Sequence, residues 1–373
     1  MKEKANAVFT ISFLASIIFI LTFVDIFHSD RLFSETENRL LAQKPKFSVK
    51  ELLSGSFTSD CEQYVTDQFV GRDKWIYLKT TTDVMLQKKE INGVYLAEGG
   101  YLIEQHLPQD YRTEQENEKL ELLRRMVDEW DATVMLVPTA DNILTGKLPA
   151  YAPYYDEKPL LERTAEIAGE QRYVDVYTVL REHSKEPVFY RTDHHWTSLG
   201  AYYGYLAWAE TMDMKPHSYN IEGMETASRE FLGTLHSKLN ISWPADSLQY
   251  FPETMEQAPH ITYDFSQETD SYYEASYLDT KNKYGFFLDD NHALAEIDTG
   301  YQNGRTLFVL KDSYANSFIP LLAPHYEKIY VLDLRYYNGR LFSLMEQYET
   351  DTGMDVLVLY NCIHFLEEFA FYE

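Results

Sequence analysis

Cysteine is nearly missing from this chain of 373 residues: only Cys61 and Cys362 occur. Two scattered thiols do not make a disulfide framework, and no spacing of Cys and His matches a zinc site. The sequence favours two free thiols. Basic residues are also scarce, with 33 Lys and Arg against 59 Asp and Glu, a formal net charge of −26. No basic stripe offsets that charge, which argues against a nucleic-acid partner and against flat docking of the globular part on anionic lipid. Internal repeats and low-complexity tracts are lacking too. What remains is 45% hydrophobic and 25% charged, enough to bury a real core. The length suits two or three average domains, or one large α/β domain with additions. Thirty Tyr and 21 Phe are suited to stacking on sugar rings and equally to filling a core.

Ala7 to Phe27 is an apolar run of membrane-spanning length, with Asp25 as its one charge. Lys2 and Lys4 precede it, and no small-x-small cleavage pattern follows. It reads as an uncleaved signal anchor, short N-terminus inside and the remainder outside, although Arg31, Arg39, Lys44, Lys46 and Lys50 lie just beyond it. Three segments are expected: an anchor over residues 1–30, an extended arm with helices and a hairpin over 31–110, and an α/β domain over 111–373. Residues 111–131 have an amphipathic helical pattern. Ala132–Pro138, Tyr173–Tyr177, Thr306–Leu310, Lys328–Leu332 and Asp355–Tyr360 read as short apolar strands. Apolar strands alternating with helices predict a mostly parallel sheet with helices on both faces. A polar, Tyr- and Pro-rich stretch over 215–300 reads as an insertion.

The densest chemistry is Tyr190-Arg-Thr-Asp193-His194-His195-Trp196-Thr-Ser-Leu-Gly200, just ahead of a helix that Thr197 or Ser198 is suited to cap. Ser313 lies three residues past a strand end, where open α/β sheets place their sites, although the G-x-S-x-G elbow is absent. A serine needs a base, and the base needs an orienting carboxylate. Side chains at i and i+2 share a side in extended chain. Asp193 is therefore expected to orient His195, the base for Ser313, while His194 points away as support or substrate contact. Trp196 is expected to pack. A helix N-terminus under Ser313 would offer N–H groups to an oxyanion.

These residues resemble the DHHW proteins of Gram-positive bacteria, similar to the SGNH-hydrolase-like O-acetyltransferases of alginate modification. The resemblance rests on Asp193-His-His-Trp-Thr-Ser-Leu-Gly-Ala and Asp312-Ser313-Tyr314. Supporting stretches are Glu37-Asn-Arg-Leu-Leu-Ala-Gln-Lys-Pro, Asp67-Gln-Phe-Val-Gly-Arg, Leu136-Val-Pro138, Phe231-Leu-Gly-Thr-Leu and Val331-Leu-Asp-Leu-Arg335-Tyr-Tyr. It implies an SGNH-like fold and a triad of Ser313, His195 and Asp193 that transfers or hydrolyses acetyl esters on an extracellular polysaccharide. It also implies a membrane-bound acyltransferase partner supplying acetyl groups. No cofactor or metal is expected. The chain departs from the pattern in carrying a second His at 194 and Lys311 where SGNH esterases have Gly. Asn361, just past a strand end, is the best Asn for an oxyanion contact. Arg335 is a candidate for an anionic sugar group, Tyr314 for a substrate contact, and Asp141 and Asn142 are weaker candidates. Two alternatives stand beside this reading. One is a glycan-binding scaffold without turnover. The other is a Mn²⁺ phosphoesterase that would recruit Asp175, Asp333, His183 or His236 as further ligands.

Overall fold

The structure, a computed structural model, describes residues 2–350 and 353–372. The chain forms two compact units, residues 1–88 with 237–242, and residues 89–236 with 243–373. The hairpin that follows residue 89 therefore belongs to the second unit.

In the first unit, helix α1 (Lys2–Phe27) contains a stretch, Asn6–Phe27, long and apolar enough to cross a membrane and nowhere buried. Three shorter helices follow, α2 (Val49–Ser54), α3 (Ser56–Gln68) and α4 (Arg72–Met85). Ser48 caps α2 by accepting the Glu51 N–H. Gly71, at φ 67°, supplies the left-handed turn between α3 and α4. The two conspicuous stretches here clasp one another. Arg39 grips both oxygens of Asp67 at 2.8 and 2.6 Å, and Glu37 pairs with Arg72. The Arg39 guanidinium holds the Asp67 carboxyl down at about 2.

The second unit is built on a seven-stranded sheet. Its strands are β1 (Thr133–Val137), β2 (His260–Tyr263), β3 (Gln267–Thr269), β4 (Leu294–Asp298), β5 (Thr306–Lys311), β6 (Lys328–Asp333) and β7 (Asp355–Asn361). The order across the sheet is β3-β2-β4-β6-β5-β7-β1. Strands β6, β5, β7 and β1 are parallel, whereas β4, β2 and β3 add an antiparallel flank. The parallel strands are apolar because both faces are covered. Alternate residues serve opposite faces. Val134, Phe308, Leu310 and Val358 pack against α5 (Thr113–Trp130), α6 (Lys158–Ala168), α9 (Leu341–Tyr348) and α10 (Cys362–Glu368). Met135, Val309 and Leu359 pack against α7 (Val176–Glu182) and α8 (Ser198–Thr211).

Two expectations change. Residues 215–300 interrupt the domain but also supply β2, β3 and β4 to its sheet. Their half-exposed alternation suits an antiparallel flank. Residues Tyr173–Tyr177 are not a strand: Tyr173 makes one parallel bridge to Val134, and α7 begins at Val176. The reason is Asp175, whose carboxylate accepts the Thr178 N–H at 3.0 Å and caps the helix. Cys61 and Cys362 are free thiols.

Candidate active site

The four parallel strands end together, at Val137, Asn361, Lys311 and Asp333. Past the end of β5, Asp312 accepts the Tyr314 N–H at 2.9 Å and opens a 3₁₀ turn, Ser313–Ser317. The expected helix N-terminus under Ser313 is thus only a short 3₁₀ turn, and Asp312 caps it. Residues 188–197 approach as a bent loop. Phe189 bridges Trp196, and the Thr197 N–H returns to Val188 O at 2.9 Å. Thr197 then caps α8 by accepting the Gly200 N–H at 3.2 Å.

Asp193, His195 and Ser313 form one hydrogen-bonded line. Asp193 Oδ1 accepts His195 Nδ1 at 2.6 Å and the His195 backbone N–H at 3.0 Å. His195 Nε2 lies 2.7 Å from Ser313 Oγ. With Nδ1–H donated to Asp193, Nε2 is the acceptor for the serine proton. Burial opposes ionisation of Asp193, but His195 and the Thr234 N–H hold it well below the usual carboxylate range. Tyr284 stacks on the His195 ring, centroids 3.8 Å apart and planes 9° apart, and its hydroxyl donates to Ser313 O at 3.2 Å. Trp196 is buried and donates Nε1–H to Tyr314 O at 2.9 Å, while the Tyr314 hydroxyl donates to His194 O. These bonds tie the histidine loop to the serine turn.

His194 does not point away. The loop is bent rather than extended, so the two imidazole centroids are 3.9 Å apart, with His194 Nδ1 2.7 Å from Thr234 Oγ1. Burial, with the charge of His195 adding, pushes the His194 ring down to about 3, so it is uncharged at neutral pH.

Asn361 sits at a strand end, with Nδ2 donating to Val137 O at 3.1 Å and Oδ1 accepting the Ile363 N–H at 3.0 Å. Its carboxamide fastens β7 to β1 and caps α10, leaving one N–H for a substrate. Arg335 is held by buried Asp333 at 2.6 Å and by Glu368 at 3.6 Å, so its guanidinium is neutralised inside the protein. Lys311, at the position of the absent Gly, is buried with Nζ 3.2 Å from Asp333. Asp141 contacts Thr139 and His106, and Asn142 donates to Tyr155 O at 3.0 Å.

Asp193, His194 and His195 offer ligand atoms within 4.8 Å of one another, the trio of the described residues that could share a metal ion. A metal there would compete with the bonds to Thr234 and Ser313. The further ligands considered are engaged elsewhere: Asp175 caps α7, Asp333 holds Lys311 and Arg335, His183 pairs with Glu186, and His236 contacts Lys281.

Sequence reasoning missed the support for Asp193. Thr234 donates its N–H at 2.8 Å and its hydroxyl at 3.2 Å to Oδ2. Asp246 Oδ2 accepts the Arg191 and Thr192 N–H groups at 3.0 and 2.8 Å. Gly233 lies so close that an added Cβ would fall 2.2 Å from Asp193 Oδ2. The Phe231-Leu-Gly-Thr-Leu stretch enters the sequence reading only through the family resemblance; in the structure its Gly-Thr pair presses on the acid.

The profile of the DHHW protein family matches residues 133–332, just over half the chain, a span containing Asp193, His195 and Ser313. The chain belongs to the DHHW family. A DHHW family protein from Eubacterium siraeum, solved as a crystal structure, superposes with a TM-score of 0.60 at 23% identity, covering 74% of this chain and 93% of that one. Bacillus cereus PatB1, solved with a sulfonyl adduct, also gives a TM-score of 0.60, at 18% identity over 77% of this chain and 99% of PatB1. At these identities the likeness establishes a shared fold. No curated protein sequence matches this DHHW protein.

Proposed function

We propose that this protein is a membrane-anchored serine O-acetyltransferase or acetylesterase with an SGNH-like fold, acting outside the cell on a surface polysaccharide. The observation that carries the reading is the unbroken line Asp193–His195–Ser313 at the carboxyl ends of a parallel sheet. The family resemblance supplies the acetyl group, the polysaccharide and the membrane-bound acyltransferase as donor partner. PatB1, a fold relative, was solved with a sulfonyl adduct.

In this mechanism His195 Nε2 takes the Ser313 proton as Oγ bonds to the acetyl carbon, and the carbonyl π pair moves onto oxygen. Collapse restores the carbonyl and breaks the bond to the leaving oxygen, which receives the proton from His195. An acceptor hydroxyl, or water, then repeats the steps in reverse on the acetyl-serine. Asp193 holds the His195 tautomer and stabilises the imidazolium that forms. The Ser313 N–H is first in its 3₁₀ turn and, among the described residues, has no competing hydrogen bond.

The test is incubation of the full chain with a fluorophosphonate or sulfonyl fluoride, followed by peptide mass analysis. The expected result is one adduct, on Ser313. Absence of an adduct would favour the glycan-binding scaffold, and modification of a different residue would displace Ser313 as nucleophile.

The support of Asp193 gives a further prediction. Gly233→Ala places a methyl group against the carboxylate and pushes it from His195. Misplacement of this kind costs roughly 10²-fold in rate, so Ser313 labelling should slow by about that factor. A rate equal to wild type would show that the carboxylate position is immaterial.

The anchor reading is tested on intact cells. A tag fused after Glu373 should be removed by added protease, while the protein keeps its N-terminal residues. A protected tag would overturn the outward orientation.

A further inference from the structure

Next to the triad is a small cavity lined by the neighbour of each reacting residue, His194 beside His195 and Tyr314 beside Ser313, together with Asn361, His364, His106 and Asp141. The centre of a water molecule can move over about 20 Å³ inside it. One water needs roughly 10–15 Å³ by that measure. The narrow, partly open space therefore suits a group of two or three heavy atoms better than a whole sugar ring.

His364 is a wall residue with a free donor position at Nε2. Its Nδ1 lies 2.7 Å from Asp312 Oδ2, and Asp312 is joined by one peptide bond to Ser313. The same carboxylate accepts the Asn361 N–H at 2.8 Å and, through Oδ1, the Tyr314 N–H at 2.9 Å. The ring is thus fixed to the backbone that carries the nucleophile. Among the described residues no hydrogen bond reaches His364 Nε2. The mechanism above does not employ this histidine.

Resting on the Ser313 acyl-transfer reading, we propose that the cavity is an acetyl pocket in which His364 Nε2–H donates to the carbonyl oxygen of the ester and to the oxyanion formed from it. The other imidazoles fit less well. His194 is uncharged and its Nδ1 is engaged with Thr234. His106 is paired with Asp141 past the end of β1, one strand further from β5 than His364, which follows β7. The sugar stays outside the pocket, and only its acetyl group enters.

The protonation state follows from the hydrogen bond. Neutral His364 would keep its one N–H for Asp312 and present a lone pair at Nε2, which repels an oxyanion. Only the imidazolium donates from Nε2. Burial opposes that charge, but Asp312 and then Glu368 raise the ring above its ordinary value, with Arg335 opposing. The other titratable groups lining the cavity are His194, Tyr314, Glu104, His106 and Asp141. Turnover should therefore be lost as pH rises through the His364 value.

The experiment uses the full chain in detergent, with 4-nitrophenyl acetate and hexanoate as substrates and a fluorophosphonate as probe. Labelling of Ser313 in the wild type tests the underlying reading separately, and its failure would remove Ser313 whatever His364 does. Given that label, His364→Phe should lower kcat for the acetate by roughly 10²–10³-fold, the scale of a lost oxyanion donor, with KM little changed. His364→Gln, a neutral donor, should recover part of the rate and abolish the alkaline decline. The hexanoate should be a much poorer substrate than the acetate. A His364→Phe rate within about twofold of wild type, well inside the loss of a real donor, would overturn the proposal. A second measurement needs no variant. In wild type the His364 Nε2 nitrogen resonance should move when Ser313 is phosphonylated, because the adduct oxygen occupies the oxyanion position. An unchanged resonance would overturn the proposal as well.

Discussion

Ser313→Ala should yield a folded protein that no longer forms an acetyl-enzyme and has lost turnover by roughly 10³-fold or more. The substitution removes one hydroxyl from the 2.7 Å contact with His195 and leaves the buried aromatic bridges of Trp196 and Tyr314 in place. Thermal stability should therefore change by no more than about 1 kcal/mol. The informative comparison is the double variant Ser313→Ala/His195→Ala. Without a serine proton, His195 has nothing to accept, so the pair should be about as inactive as either single variant. The readout is the mass of the intact protein after brief exposure to an activated acetyl ester, with sequencing of the modified peptide. Full acetylation of Ser313→Ala would end the serine-nucleophile reading. Losses that multiply in the double variant would show that the two residues act in separate steps.

The second large effect separates two adjacent histidines. His195→Ala removes both the acceptor for Ser313 and the partner of Asp193, and turnover should fall by roughly 10³-fold or more. His194→Ala removes a bond to Thr234 and one wall of the small cavity but leaves the reacting line intact, so substantial activity should survive. The rings are close enough that stability must be measured for both. Equal losses in two well-folded variants would favour a metal held by both rings with Asp193, the trio near enough to share one. Addition of a chelator to wild type would then abolish activity.

The sequence made some of this site legible because the information was local. A capping threonine at 197, continuous apolar strands and the Asp-x-His spacing are short-range signals, and the structure puts Asp193 and His195 in contact. The stated reason was incomplete. Positions i and i+2 meet because the loop is bent and the Asp193 carboxylate also accepts the His195 backbone N–H, so the same bend brings His194 close as well. The strand expected at Tyr173–Tyr177 failed for a local reason too, since Asp175 outcompeted alternation by capping a helix. Gly233, Thr234 and Asp246 were beyond reach. Each acts across at least 40 residues, and nothing in a turn-like Gly-Thr pair tells which carboxylate it will meet. Asn361 and Arg335 were located correctly at strand ends, but the internal partners Val137, Ile363 and Asp333 that occupy them depend on strand order.

That strand order has a consequence for how the folded protein comes into being. The sheet closes only when β7 pairs with β1, and Asn361 reaches Val137 across 224 residues of chain. The serine and its base are separated by 118 residues. Contacts this distant in sequence are slow to form, because the entropy of closing the intervening chain must be overcome first. A chain emerging N-terminus first holds β1, five residues buried on both faces in the final fold, without its neighbour until nearly all of it has been delivered. Until then an apolar edge of the kind that templates aggregation stays open. Assembly of the sheet and assembly of the triad are thus late and nearly simultaneous events. An incompletely synthesised chain does not bring Ser313 to His195, and its need for protection lasts until the final strand arrives.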